Sequence, residues 1–309
     1  MKFADIFHRK KKPTSSGKKK IKGKSGPVDK EIVTTPLAEL EGLGVINPLP
    51  LITPQQIIFG SAQSVGMQRT HNEDSVVAFS LTMGSEGNPI PIGLFLVADG
   101  MGGYQLGEVA SGITARTITN YLFRYIQPLI SDPKQALQDP IQEIMKSAIQ
   151  EAQSAVISSA PGSGTTLTAA LVLGQQVTIG HIGDSRAYAI HMDNKVEILT
   201  RDHTLVKRLE ELGQLSPSEA MVHPQRNILY RALGRGDILE PDVFTTHFPQ
   251  PGYLMLCSDG LWSVVPDDNI AGVINQAPNL TSASQNLVSA ANDAGGPDNI
   301  SVVLAQLIG

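Results

Sequence analysis

Four acidic segments follow one another along the chain: Arg69-Thr-His-Asn-Glu73-Asp74, Ala98-Asp99-Gly100-Met101-Gly-Gly, Ser258-Asp259-Gly260 and Gly296-Pro297-Asp298-Asn299. Three of them abut short apolar runs. Leu94-Phe-Leu-Val-Ala98 leads into Asp99, Tyr253-Leu-Met-Leu-Cys257 leads into Asp259, and Ile300-Ser-Val-Val-Leu304 follows Asp298, so each acid is expected at the end of a buried strand. Carboxylates at strand ends can converge at one edge of a sheet. Hard divalent cations such as Mg²⁺ or Mn²⁺ take oxygen ligands, and a pair of them needs several carboxylates with at least one shared. A single Asp-Gly is an ordinary turn signal. Five acidic motifs in succession, counting Gly183-Asp184-Ser185-Arg186, supply the ligand number that a two-metal site requires.

Other chemistries find less support. Cys257, the one cysteine, sits in an apolar run without a neighbouring base and reads as a small buried hydrophobe. The glycines of Gly100-Met-Gly102-Gly103 lack the Lys-Ser/Thr that closes a phosphate-cradling loop, and Glu108 after Gly107 would repel a bound phosphate, so nucleotide binding is rejected. Arg69, four residues before Glu73, has a planar guanidinium able to bind two phosphate oxygens at once.

The order of these motifs resembles that of the metal-dependent protein phosphatases of type 2C, in their bacterial form, from about Gly60 to Leu307. Gly164-Thr165-Thr166 and Asn227-Ile-Leu-Tyr-Arg231-Ala-Leu-Gly234 agree with it. The resemblance implies a protein serine/threonine phosphatase that hydrolyses phosphoserine and phosphothreonine, opposing a Ser/Thr kinase in signalling. It implies two Mn²⁺ or Mg²⁺ ions and a weakly bound third. Asp99 would bridge the ions, Glu73 and the Gly100 carbonyl would hold one, Asp259 and Asp298 the other, and Asp184 with Asp259 the third. Asp74 would orient metal-bound water, Arg69 would grip the substrate phosphate, and water bridging the ions would attack. Eukaryotic members carry a proton-donating His after the Asp-Gly, where this chain has Met101; His71, His181 and His203 cannot be ranked as replacements from sequence. The stretch from Leu205 to Arg226 corresponds to the family's substrate-side flap. An inactive phosphatase-like scaffold and a small-molecule phosphomonoesterase remain as alternatives.

The acids must be positioned by a frame. Apolar residues from Ala110 to Ile126 and from Ile141 to Val156 follow the helical i, i+3, i+4 rhythm, so two helices are expected side by side on a sheet. Strands are predicted at Thr165–Leu173, Gln176–Ile182, Ala187–Ile190 and Val196–Leu199, with a turn at Asp193-Asn194. Ser216-Pro-Ser-Glu219 reads as a helix start with a capping box, and further helices are predicted near Pro266–Ile274 and Ser282–Asp293. Periodicity gives α+β; the family resemblance implies a four-layer αββα sandwich of two stacked, mainly antiparallel sheets flanked by helices.

Charge divides the chain unequally. The first thirty residues hold eleven Lys or Arg against Asp5 and Asp29, a net of +9, while the remainder carries −14. Residues 1–54 are therefore expected to be a basic disordered tail and Pro-containing linker, and residues 55–309 the catalytic domain. The tail could contact anionic surfaces weakly; no specific nucleic-acid partner is expected. Phosphoproteins, either Ser/Thr kinases or their substrates, are the expected partners. The lone cysteine excludes an intrachain disulfide, and with no secretory or membrane-length apolar run a cytoplasmic location is expected.

Overall fold

The computed structural model describes residues 54–82, 90–102, 106–131, 139–236 and 239–309; the expected basic tail and all but the last residue of the linker lie outside them. In chain order the elements are β1 (Gln56–Ser64), β2 (Asp74–Thr82), β3 (Pro91–Met101), α1 (Leu106–Ser131), α2 (Ile141–Ser159), β4 (Gly164–Thr165), β5 (Leu167–Leu173), β6 (Gln176–Ile182), β7 (Arg186–His191) and β8 (Val196–Ile198). There follow α3 (Leu205–Glu211), α4 (Pro217–Val222), β9 (Asp242–His247), β10 (Gly252–Cys257), α5 (Asp259–Trp262), α6 (Asp267–Gln276), α7 (Leu280–Asp293) and β11 (Ile300–Ile308). Two antiparallel sheets result, one in the order β1-β11-β10-β7-β8 and the other β2-β3-β5-β6-β9, with β4 pairing β3.

Side-chain alternation along the strands sorts the core into three layers. On β3, Leu94, Leu96 and Ala98 turn toward α1 and α2, where they meet Ile118, Leu122, Met145 and Ile149. Phe95 and Val97 turn the other way, against Leu254 and Leu256 of β10 and Val303 and Ala305 of β11. The opposite faces of those strands, with Met255, Cys257, Val302 and Leu304, pack on Ile270, Ile274, Leu287 and Ala291 of α6 and α7. Helices, sheet, sheet, helices is the αββα order that the family resemblance implied. Phe95 and its neighbours are wholly buried, and removing such a ring costs about 3–5 kcal/mol.

The same alternation places the acids. Positions 95, 97 and 99 share one face of β3, so Asp99 emerges between the two sheets at the strand's end. On β2 the partly buried Val76 and Ala78 also join the inter-sheet layer, which puts Asp74 on that side. The register pairs Asp74 directly with Asp99.

The expected local signals appear where they were read. Asn194 takes φ 68° in the turn between β7 and β8, and Ser216 with Glu219 closes a complete capping box on α4. Two strands, β1 and β2, had no sequence expectation. Helix α1 also continues through Pro128 to Ser131, beyond the apolar stripe that ended at Ile126.

Candidate active site

Asp99 is fixed through its backbone. Its N–H donates to Thr166 Oγ1 at 2.9 Å, and its carbonyl accepts from the Thr166 N–H at 2.8 Å and from Thr165 Oγ1 at 2.9 Å. Thr166 Oγ1 is in turn 2.6 Å from Ser185 Oγ, which ties the Asp99 strand end to the loop of Asp184. These two threonines thus hold the central acid. Gly100 is required by close approach: a Cβ there would stand 2.2 Å from the Gly107 carbonyl oxygen and 2.6 Å from that of Glu73. The Gly100 N–H donates to the Glu73 carbonyl at 3.2 Å, which positions the Glu73 segment beside it.

Asp74 lies behind Asp99, buried. Its Oδ2 accepts from Ser258 Oγ at 2.8 Å, just after β10, and from Ser301 Oγ at 2.6 Å, on β11 of the opposite sheet. The Asn299 side chain clamps the Glu73 segment: Oδ1 accepts from the Glu73 N–H at 2.8 Å, and Nδ2 donates to the carbonyls of Val65 and His71 at 2.8 and 2.9 Å. Asp298 Oδ1 accepts from the Asn299 backbone N–H.

Arg69, Glu73, Asp99, Asp184, Asp259 and Asp298 all line one pocket of about 610 Å³. Asp99 and Asp259 reach it from the ends of strands in different sheets. Burial, followed by the charges of Asp74, Asp259, Asp184 and Asp298, holds the Asp99 carboxyl well above the usual carboxylate range. Burial and then Asp259 do the same to Asp184. Burial pushes Asp74 up to about 7 despite the two serines, and burial together with Asp298 pushes Asp259 up to about 6. Arg69 offsets this charge in part, with Nη2 2.6 Å from Asp298 Oδ2.

The donor set fits hard divalent cations. Oxygen atoms predominate, their charge is poorly compensated, and Asp74 Oδ1 and Asp259 Oδ1 are buried without a hydrogen-bond partner. Among the described residues no three donors are gathered closely enough to grip an ion as they stand, and Asp298 is paired with Arg69.

The histidines can now be ranked. His181 is fully buried, bonded to Thr168 and the Arg201 carbonyl, and burial lowers it to about 4. His203 is buried between the Gly183 N–H and Asp242. Both are structural, whereas His71 is exposed, with Nε2 3.4 Å from Glu73. On the flap, Lys207 pairs with Glu210, Arg208 with Glu211, and Arg201 with Glu211, while Glu219 caps α4. These charges do not line the pocket. Its wall on that side is formed by Asn227 to Ala232, within the stretch that agreed with the family, together with Arg235, which the sequence reading did not single out.

Comparison with known proteins decides the family. The family model described as protein phosphatase 2C matches residues 60–300. The chain belongs to the protein phosphatase 2C family. It is 37% identical over 242 residues to the serine/threonine phosphatase stp of Listeria welshimeri, a match covering 78% of this chain and 92% of the relative. The crystal structure of the Mycobacterium tuberculosis serine/threonine phosphatase PstP/Ppp superposes with a TM-score of 0.66 at 31% identity, covering 82% of this chain and 99% of that one. A PstP catalytic domain in complex with two manganese ions gives a TM-score of 0.64 at 28% identity, covering 82% and 100%. The chain is thus a serine/threonine phosphatase of the 2C type, and no helix among its described residues is long and apolar enough to cross a membrane.

Proposed function

We propose that this phosphatase removes phosphate from phosphoserine and phosphothreonine in proteins, opposing a Ser/Thr kinase in the cytoplasm, and that it depends on two Mn²⁺ or Mg²⁺ ions. The observation that carries the reading is the convergence of Asp99 and Asp259, from two sheets, in one pocket with Glu73, Asp298 and Arg69. Glu73, Asp99 and the Gly100 carbonyl would hold one ion, Asp99, Asp259 and Asp298 the other, and Asp184 with Asp259 a weaker third. When bound, such ions neutralise phosphate charge and lower the pKa of water so that it can attack at neutral pH.

The protein's own groups do the rest. Arg69, half-exposed on the pocket wall, can leave Asp298 for the phosphate and grip two of its oxygens, orienting the ester. Asp74, held by Ser258 and Ser301, keeps Oδ1 free to accept from water behind the Asp99–Asp259 pair and fix its orientation. Met101 can move no proton, so the leaving alkoxide must take its proton from water or from another side chain. The domain carrying this chemistry is assigned to residues 55–309, with residues 1–54 as a tail that can meet anionic surfaces.

Hydrolysis of a phosphothreonine peptide and of p-nitrophenyl phosphate, before and after excess EDTA, tests the reading. Activity is expected to vanish with EDTA and return with Mn²⁺ or Mg²⁺. Undiminished turnover in EDTA would sink the metal-dependent mechanism, and a strong preference for sugar phosphates over the peptide would favour a small-molecule phosphatase.

A further inference from the structure

Arg186 and Trp262 flank the carboxylate pocket without lining it, yet they join the two loops that carry Asp184 and Asp259. Arg186 opens β7, two residues after Asp184. Its Nε and Nη2 form a forked pair with Asp202 at 2.9 and 2.7 Å, and Nη1 donates to the Tyr188 hydroxyl at 3.2 Å. Its guanidinium carbon lies 3.6 Å from the centre of the Trp262 ring. Trp262 ends the single helical turn that Asp259 begins, and its indole N–H donates to the Asp184 carbonyl at 2.9 Å.

Each part of this arrangement fixes a different degree of freedom. The forked pair with Asp202 sets the plane of the guanidinium, and that plane sets the tilt of the indole stacked on it. The indole N–H then pins the Asp184 main chain to the Asp259 turn. Burial opposes the Arg186 charge, but Asp202 outweighs it, so the cation persists at any working pH.

We propose that the Arg186–Trp262 stack is a positioning lock that sets the separation of Asp184 from Asp259 and thereby the affinity of the cation these two share. The proposal rests on the metal-site reading given above. It has a spectroscopic consequence, because Trp262 is the only tryptophan in the chain: uptake of that cation must alter the intrinsic fluorescence.

The test uses the full-length chain, stripped with EDTA and titrated with Mg²⁺ by calorimetry and by tryptophan fluorescence. Trp262→Phe keeps an aromatic ring for Arg186 but removes the N–H, and Arg186→Lys keeps the charge but loses the fork. In calorimetry both variants are expected to weaken the lowest-affinity Mg²⁺ step roughly ten-fold, the scale seen when groups that orient metal ligands are removed, and to leave the tighter steps within about two-fold. In fluorescence the wild-type signal is expected to change over that same weak step, and Asp184→Asn to abolish the change. A Trp262→Phe protein with normal melting and an unchanged weak step overturns the lock, as does a wild-type fluorescence blind to Mg²⁺ that calorimetry shows to bind. Absence of any Mg²⁺ or Mn²⁺ uptake by the wild type would overturn the metal-site reading and the lock with it. Should both lock variants misfold, the paired wild-type and Asp184→Asn fluorescence titrations still decide the matter.

Discussion

Arg69 is the residue whose sequence and structural surroundings most need reconciling. The family resemblance implied a phosphate-gripping role for it, while in the fold its guanidinium lies 2.6 Å from Asp298. The two are compatible, since the side chain is half-exposed on the pocket wall and the pair is within reach of solvent. Arg69→Ala is expected to raise KM for a phosphopeptide by roughly ten- to a hundred-fold, the worth of a charge-assisted hydrogen bond, with a smaller effect on kcat. Because the substitution also frees Asp298, Mn²⁺ affinity should hold or increase. Steady-state kinetics beside calorimetry check this: weakened Mn²⁺ binding at an unchanged KM would make Arg69 a structural partner of the acids. Asn299 shows why a residue's role is harder to read than its presence. The three partners of its side-chain amide lie more than 220 positions away, and no local pattern announces them.

At the scale of elements, strands that end in an acid were legible because the runs before them are uniformly apolar and buried on both faces. Leu94–Ala98 and Tyr253–Cys257 could hardly be anything else. Strands β1 and β2 were not legible, since their burial is mixed and their apolar residues are diluted by Ser, Gln and Gly. The facing of Asp74 and Asp99 depends on that missed strand and on its register, which is a non-local property. The Thr166 link is likewise invisible in sequence, joining β4–β5 to the Asp184 loop. Thr166→Val keeps the shape but removes the acceptor for the Asp99 N–H and the bond to Ser185. It is expected to cost about 1–3 kcal/mol of stability and to lower kcat several-fold as Asp99 loosens. Thermal melting and kcat measured together check the link; a variant matching the wild type in both would show that Thr166 only fills space.

For the whole molecule, the carboxylate cluster trades stability for function. Asp74 at about 7 and Asp259 at about 6, with Asp99 and Asp184 also raised, are carboxyls that the folded state prefers protonated. Their contribution to stability is therefore full below about pH 4, the unfolded value, and is lost as pH rises through about 6 to 7. His181, lowered to about 4, acts in the opposite sense, its contribution being full above about 6.5 and lost as pH falls. The metal-free protein is expected to melt highest in mildly acid solution and lower toward about pH 8, where added Mg²⁺ should raise Tm most, since a cation binds only the ionised acids. A Mg²⁺ stabilisation of equal size at about pH 5.5 and 8 would contradict that balance. The central claim is that Asp99, delivered between the sheets by β3, anchors the ions on which turnover depends. The most direct measurement is Mn²⁺ binding by calorimetry and phosphopeptide kcat for folded Asp99→Asn beside the wild type. The account predicts at least one ion lost and kcat lowered by roughly a hundred-fold or more, with the stripped variant melting higher than the stripped wild type at about pH 8, because Asn has no carboxyl whose raised pKa costs stability there. Unchanged Mn²⁺ stoichiometry with kcat above about a tenth of the wild-type value, a barrier change under about 1.4 kcal/mol, would contradict it.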